Sequence, residues 1–139
     1  DGEVESMSLS TVRAALKTRL ETISGLLVYA EVPEAIEKFP VAIIDMASAD
    51  YDIELTSASV DWHFRVLLLL GDRDSKTAHT TLDGYLAKSG GTSIKAAIEG
   101  ASVGDTAPAV RRAENIGFIS YRGTTYVGAE FIVDVVDSS

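Results

Sequence analysis

The chain has 139 residues, of which 46% are hydrophobic and 24% are charged, and its net charge at neutral pH is −9. This length and composition predict one globular domain, because single cores commonly occupy roughly 100–150 residues and disordered chains are much less hydrophobic. The lack of cysteine excludes disulfides, thiolate nucleophiles and cysteine-bound metal clusters, and the acidic balance disfavours a protein that grips the phosphates of nucleic acids.

We expect neither a membrane span nor a secretory signal in the chain as given. The longest uninterrupted apolar run, Val66 to Leu70, is far shorter than the roughly 20 residues that cross a bilayer. No basic start with an apolar stretch and a cleavage site is present near the first residue. Residues 1–7 are mostly polar and acidic, so we expect a flexible arm or residues left from expression, followed by a single domain over residues 8–139.

Three segments have the periodicity of amphipathic helices. In the first, apolar residues recur at steps of three and four, Ser8 or Ser10 is a suitable N-cap, and Gly25 supplies the stop. The second and third segments are also preceded by capping residues and followed by glycine. The expected helices are Leu9 to Ile23, a segment from Asp74 or Ser75 to the break at Ser89, and the shorter Ser93 to Ile98.

The remaining regular segments predict strands. In the long strand Val60 to Leu70, one face is apolar throughout, whereas the other is polar up to Arg65 and apolar at Leu67 and Leu69. We therefore expect its second half to be covered on both faces, most simply by a helix. The other expected strands are Leu26 to Tyr29 at an edge, Val41 to Met46, and a C-terminal hairpin of Val110 to Arg122 and Thr124 to Val136. The pattern predicts an α+β fold with a mixed, mostly antiparallel sheet and two to three helices on one face.

The segment from Ser48 to Ser59 alternates loosely between apolar and acidic residues. It is either a strand or a loop, and the alternation favours an extended hairpin arm with one acidic face. An ordinary hairpin within the monomer is the alternative. The apolar side comprises Tyr51, Ile53 and Leu55, and the acidic side comprises Asp50, Asp52 and Glu54.

No motif in the sequence predicts catalysis. His63 lies between Asp61 and Arg65 on one strand face, but no nucleophile or second metal ligand stands at a fixed spacing from it, so we interpret it as part of a polar row that crosses strands. The carboxylates at Asp72 and Asp74 lack the glycine and distant glutamate of a calcium loop, and the glycines match no phosphate-binding loop. We expect no enzyme, no catalytic residue, no metal and no cofactor.

Several segments, taken in order, carry a resemblance to a known family. They are SLSTVRAAL at residues 8–16, the strand exit from Val28 to Pro33, the long strand Asp61 to Leu70, DGYL at 83–86 with SIKAAIE at 93–99, and YVGAEF at 126–131. In this order they resemble the tail terminator proteins of long-tailed bacteriophages, especially those that infect actinobacteria. The resemblance covers residues 7–137.

The resemblance implies a structural protein that forms a ring, usually a hexamer of identical subunits, on the head-proximal end of the tail tube. Such a ring stops tube polymerisation and offers a surface to the head-completion or stopper protein. Its other partners are the major tail tube protein and the DNA that passes through the lumen without specific binding. The protein would be assembled in the host cytoplasm and reside in the virion tail.

Residues whose pattern suits an interface better than a closed monomer are the candidates for subunit or tube contact. The second choice for this contact is the edge strand Leu26 to Tyr29 together with the end of the first helix. A head–tail connector or neck subunit and a cellular small-ligand-binding module remain alternative functions. The candidate interface residues are Asp50, Tyr51, Asp52, Ile53, Glu54, Leu55, Asp61, His63 and Arg65.

Overall fold

The computed structural model describes residues 9–30, 33, 36, 38–51, 60–72, 74–100 and 108–137. These residues form three helices and five strands, as the α+β prediction requires. The helices are α1 (Leu9–Leu20), α2 (Lys76–Leu86) and α3 (Ile94–Glu99), and the strands are β1 (Leu27–Tyr29), β2 (Val41–Tyr51), β3 (Val60–Asp72), β4 (Ala109–Tyr121) and β5 (Thr124–Asp137). None of the described helices is both long and apolar enough to span a bilayer.

The five strands form one sheet with the order β1-β2-β3-β5-β4. β1 runs parallel to β2, and every other neighbouring pair is antiparallel. The prediction of a mixed, mostly antiparallel sheet is therefore confirmed. β1 and β4 form the two edges, and β3, which contains the predicted strand Val60 to Leu70, lies at the centre.

One face of the sheet packs against the helices and forms the main core. α1 contributes Val12, Leu16 and Leu20, the positions of its predicted apolar stripe, all with no exposed surface. The helices pack on this one face, as predicted. The sheet side of this core comprises Val28, Ala42, Ile44, Phe64, Val66, Leu68, Leu70, Val127, Ala129, Phe131, Val133 and Val135.

The starts of α2 and α3 agree with the capping residues seen in the sequence, whereas α1 ends at Leu20, before the predicted Ile23. Ser75 accepts a hydrogen bond from the Ala78 N–H at 3.1 Å and begins α2. Ser93 accepts one from the Ala96 N–H at 3.0 Å and begins α3, while its own hydroxyl donates to the Ala87 carbonyl at 2.5 Å. Ser93 is thus both the cap of one helix and the link to the end of the preceding one, which explains why this polar residue is 1% exposed.

The opposite face, which we call the open face, carries a second and smaller apolar cluster. Leu67 and Leu69 are buried here, as predicted, but the prediction that a helix covers them is wrong. Ile36 and Phe39, from the connection between β1 and β2, pack against this cluster. α1, which precedes β1, and α2 and α3, which follow β3, all pack on the face that contains Leu68 and Leu70, so the connection that precedes β2 covers the other face.

Two hydrogen bonds tie that connection to the far side of the sheet. The Tyr121 hydroxyl and the Arg122 guanidinium both donate to the Pro33 carbonyl oxygen, at 3.4 Å and 3.1 Å. Arg122 and Gly123 form the tight turn between β4 and β5 and have φ angles of 51° and 85°. Positive φ at both central residues is typical of the turns that join antiparallel strands with the native twist.

β2 is longer than the sequence predicted. We expected a strand ending at Met46 and a separate segment from Ser48, whereas one strand runs from Val41 to Tyr51 with a register shift between Met46 and Ser48. The bulge changes the alternation of side chains at that point, so one strand has the sequence pattern of two. Residues 52–59, most of the predicted arm, and residues 1–7 lie outside the described residues.

Candidate functional site

The candidate site is a row of charged side chains on the open face, at the end of the sheet away from Leu67 and Leu69. β3 supplies Asp61, His63 and Arg65, which share one face because alternate residues of a strand do. β5 runs antiparallel beside it and places Asp134 directly opposite His63. β4 lies beyond β5 and adds Arg111 from a register shift between Val110 and Arg112.

Asp134 is the centre of this row. Its Oδ1 lies 2.6 Å from His63 Nδ1 and its Oδ2 lies 2.8 Å from Arg111 Nε, so one carboxylate holds side chains from both neighbouring strands. Because an ionised carboxylate only accepts hydrogen bonds, the Nδ1–H of the imidazole must be the donor. Burial alone would raise the pKa of Asp134, but the hydrogen bonds and charges of His63 and Arg111 hold this pKa below its ordinary value overall.

A second ion pair lies one step further along the face. Arg65 Nε donates to Glu130 Oε2 at 3.0 Å, and Asn115 Nδ2 donates to Glu130 Oε1 at 2.8 Å. Arg112 pairs with Glu114 along β4. The sequence interpretation of His63 and Arg65 as members of a polar row that crosses strands agrees with these contacts.

Asp61 is the least satisfied member of the row. Its Oδ2 lies 3.8 Å from His63 Nε2, and its Oδ1 is buried without a hydrogen-bond partner among the described residues. The register of β2 and β3 also places Asp50 directly opposite it. A buried carboxylate oxygen without a hydrogen-bond partner favours a nearby positive charge, and Arg111 lies close enough for its charge to act on Asp61.

Asp61, His63 and Asp134 together offer ligand atoms within 4.8 Å of one another, the residue types that bind divalent metals. Both oxygens of Asp134 are, however, already bonded to the imidazole and to a guanidinium. A cation bound here would have to displace Arg111 or lie beside its positive charge. The arrangement is therefore better suited to fixing the relative positions of β3, β4 and β5 than to metal chemistry.

The candidate interface residues from the sequence fall into three groups. Asp50 and Tyr51 belong to β2 and pair with Asp61 and Val60, so this part of the predicted arm folds back within the monomer. Asp61, His63 and Arg65 lie together on the open face. The remaining candidates, Asp52, Ile53, Glu54 and Leu55, lie outside the described residues.

Sequence reasoning missed Asp134, Glu130 and Arg111, which complete the row. The sequence does indicate that Glu130 and Asp134 share one face of β5, because they and Ile132 alternate with the apolar core residues of this strand. Their pairing with β3 needs the order of the strands in the sheet, which the sequence pattern does not fix. Arg111 reaches the row because of a register shift that no local signal marks.

Comparison with known proteins adds no family to this description. Neither a scan of protein-family models nor a search of curated proteins gives a match for the chain. An account of function therefore depends on the order of the sequence segments, on the fold and on the surfaces that the fold leaves exposed.

Proposed function

We propose that the chain is a tail terminator protein of a long-tailed bacteriophage. In this role it forms a ring of identical subunits on the last ring of the tail tube. The ring matches the tube on one side and offers no further tube-docking surface on the other, so polymerisation stops. The work of the protein is geometric and needs no catalytic group.

The observation that carries the proposal is the order of segments along residues 7–137. Most segments that resemble the family lie in an element of the fold, whereas the strand exit from Val28 to Pro33 extends past β1 to residues outside the described ones. Residues 9–16 lie in α1, Asp61 to Leu70 in β3, residues 94–99 in α3, and residues 126–131 in β5. The fold is also of the kind that the family implies, a small α+β subunit.

The net charge supports a second part of the proposal, passage of DNA through the ring. Each copy carries a charge of −9, which a ring multiplies. A negative lumen repels the phosphate backbone, so DNA moves through it without binding. A lumen with a positive potential in the assembled ring would contradict this part.

The proposal is tested by the length of tail tubes. The major tail tube protein of the same phage is polymerised alone and with increasing amounts of this chain, and tube lengths are measured by electron microscopy. We expect long tubes without the chain and progressively shorter tubes, blocked at one end, as it is added. An unchanged length distribution, with the chain absent from the tube ends, would contradict a terminator.

The same experiment separates the alternatives. A head–tail connector or neck subunit would leave tube length unchanged and instead bind tubes that are already capped. A small-ligand-binding module would do neither.

A further inference from the structure

The exposed hydrophobic side chains are concentrated on the two edges of the sheet. Among the described residues, the large hydrophobic side chains that remain exposed are Leu27 at 40%, Ile116 at 57% and Phe118 at 54%. Leu27 belongs to β1 and the other two to β4, the two edge strands. An exposed apolar edge is a site where another strand adds, because the edge also presents unpaired backbone groups.

The two halves of β4 differ in how open they are to strand addition. The first half carries Arg111, Arg112 and Glu114 and has two register shifts. Charges and bulges of this kind protect an edge. The second half, Gly117 to Tyr121, has no charged residue and pairs with β5 in unbroken register, so it is the part of this edge that a strand can join.

The hydrogen bonds show which backbone groups of this half point outwards. The Val110 N–H bonds to the Glu99 carboxylate at 2.9 Å, and therefore turns away from Val133, its partner on β5. Alternate residues of β5 repeat this pattern, because antiparallel pairs alternate between bonded and non-bonded. Phe118, opposite Val127, consequently directs its N–H and C=O away from the sheet.

β1 presents a matching edge. The Leu27 N–H bonds inwards to the Pro40 carbonyl at 3.1 Å, so the groups of the next residue, Val28, point outwards. β1 contains no charged residue. The strand directions also match: β1 runs with β2, and β4 runs opposite to both, so a second copy that continues the sheet places its β1 antiparallel to β4.

We propose that β1 of one copy adds to the second half of β4 of the next copy, with Val28 opposite Phe118. This register puts Leu27 opposite Ile119 on the open face and Tyr29 opposite Gly117, and it puts Val28 and Phe118 together on the face that the helices cover. Leu27 then gains an apolar neighbour, and the tyrosine ring covers the glycine, a pairing that stabilises glycine in strands. None of the six paired positions carries a charged side chain.

This inference rests on the proposed ring and supplies its contact. A contact between two different edges is heterologous, so successive copies are related by a rotation that can close into a ring. It also keeps the helices of all copies on one side and the charged rows of all copies on the other. Pairing of β4 with its own copy would instead give an isolated dimer and leave Leu27 exposed.

The test is disulfide crosslinking, since the chain has no cysteine. Leu27→Cys and Ile119→Cys are made singly and together, assembled on tail tubes and oxidised. We expect crosslinked pairs from the mixed single variants, and a ladder of products up to the full ring from the double variant. Within one copy the two positions lie about four strand spacings, roughly 19 Å, apart, too far for a disulfide, so every product reports a contact between copies.

Phe118→Cys mixed with Leu27→Cys is the matched control. Phe118 is more exposed than Ile119 but lies on the other face of the sheet, so this pair should crosslink much less. Equal crosslinking of the two pairs, or dimers from Ile119→Cys alone, would overturn the register or the partner. A ring that forms on the tube without the crosslink from Leu27→Cys to Ile119→Cys would overturn the inference and leave the proposed function intact. If the wild-type chain did not cap tubes at all, the proposed function itself would be wrong.

Discussion

Asp134 joins three strands on the open face through one carboxylate. Its side chain is 13% exposed, and it bonds His63 of β3 and Arg111 of β4 from its position on β5. Hydrogen bonds that involve charged groups are stronger than those between neutral groups. If the carboxylate were removed, the His63 and Arg111 side chains would lose the hydrogen bonds that offset their partial burial. This residue therefore contributes more to the order of the sheet edge than exposed ion pairs such as that between Lys17 and Glu21.

We predict that Asp134→Asn lowers the free energy of unfolding at neutral pH by about 1–3 kcal/mol, the typical effect of losing a charge-assisted hydrogen bond. Denaturant unfolding measures the change. Asp83→Asn, at an exposed position of α2, is the control and should change stability by less than about 0.5 kcal/mol. Equal stability of the two variants would show that the Asp134 carboxylate does not stabilise the fold.

The same substitution should change how stability depends on pH. Because the pKa of Asp134 is lower in the folded chain than in the unfolded chain, its ionisation stabilises the fold above the unfolded pKa, near 4, and this contribution is lost as the pH falls through the lower, folded pKa. Asp134→Asn removes that part of the acid sensitivity. The free energies of unfolding of the variant and the wild type should therefore converge as the pH falls from neutral to about 2. A difference that stays constant with pH would contradict a lowered pKa of Asp134 in the folded chain.

At the scale of elements, β3 and β5 approach so closely that one position tolerates only glycine. A Cβ added at Gly128 would lie 1.7 Å from the Leu68 carbonyl oxygen, a backbone atom that cannot move without its strand. Glycine inside a strand commonly marks such an approach of two backbones. The residue belongs to the segment 126–131 that carries part of the family resemblance, so its presence there has a structural reason.

Gly128→Ala should therefore destabilise the sheet severely, by about 3 kcal/mol or more, or prevent folding, because overpacking against a backbone has no side-chain relief. Gly91→Ala is the matched control, since a Cβ there meets no atom within 4 Å and the φ angle is not positive. Thermal unfolding and circular dichroism compare the two. A Gly128→Ala protein as stable as Gly91→Ala would mean that β3 and β5 are not paired in this register.

The elements could be predicted from the sequence because each has a local signal. The stripe of α1, the capping serines of α2 and α3, and the alternation in β3 all depend on residues a few positions apart. The cover over Leu67 and Leu69 could not be predicted in the same way, because it comes from a segment about thirty residues earlier in the chain. Asp134 was missed for a related reason, since its contact with His63 joins residues 71 positions apart.

At the scale of the whole molecule, the sheet has two edge strands, β1 and β4, and two faces of different character. Helices cover one face, and the other carries the charged row beside a small apolar cluster. Joining the edges in a ring would give every copy the same orientation, so the assembly would have one wall of helices and one wall of charged rows. Which wall lines the lumen then decides whether DNA meets the rows centred on Asp134.

In the proposed function, this chain ends a phage tail tube as a ring. Electron cryomicroscopy of intact tails, with the subunits assigned from the density, tests it most directly. We expect a single ring of this chain, usually six copies, at the head-proximal end of the tube, with neighbouring copies in contact through β1 and β4. Tails in which the chain is absent from that end, or repeats along the tube, would contradict it.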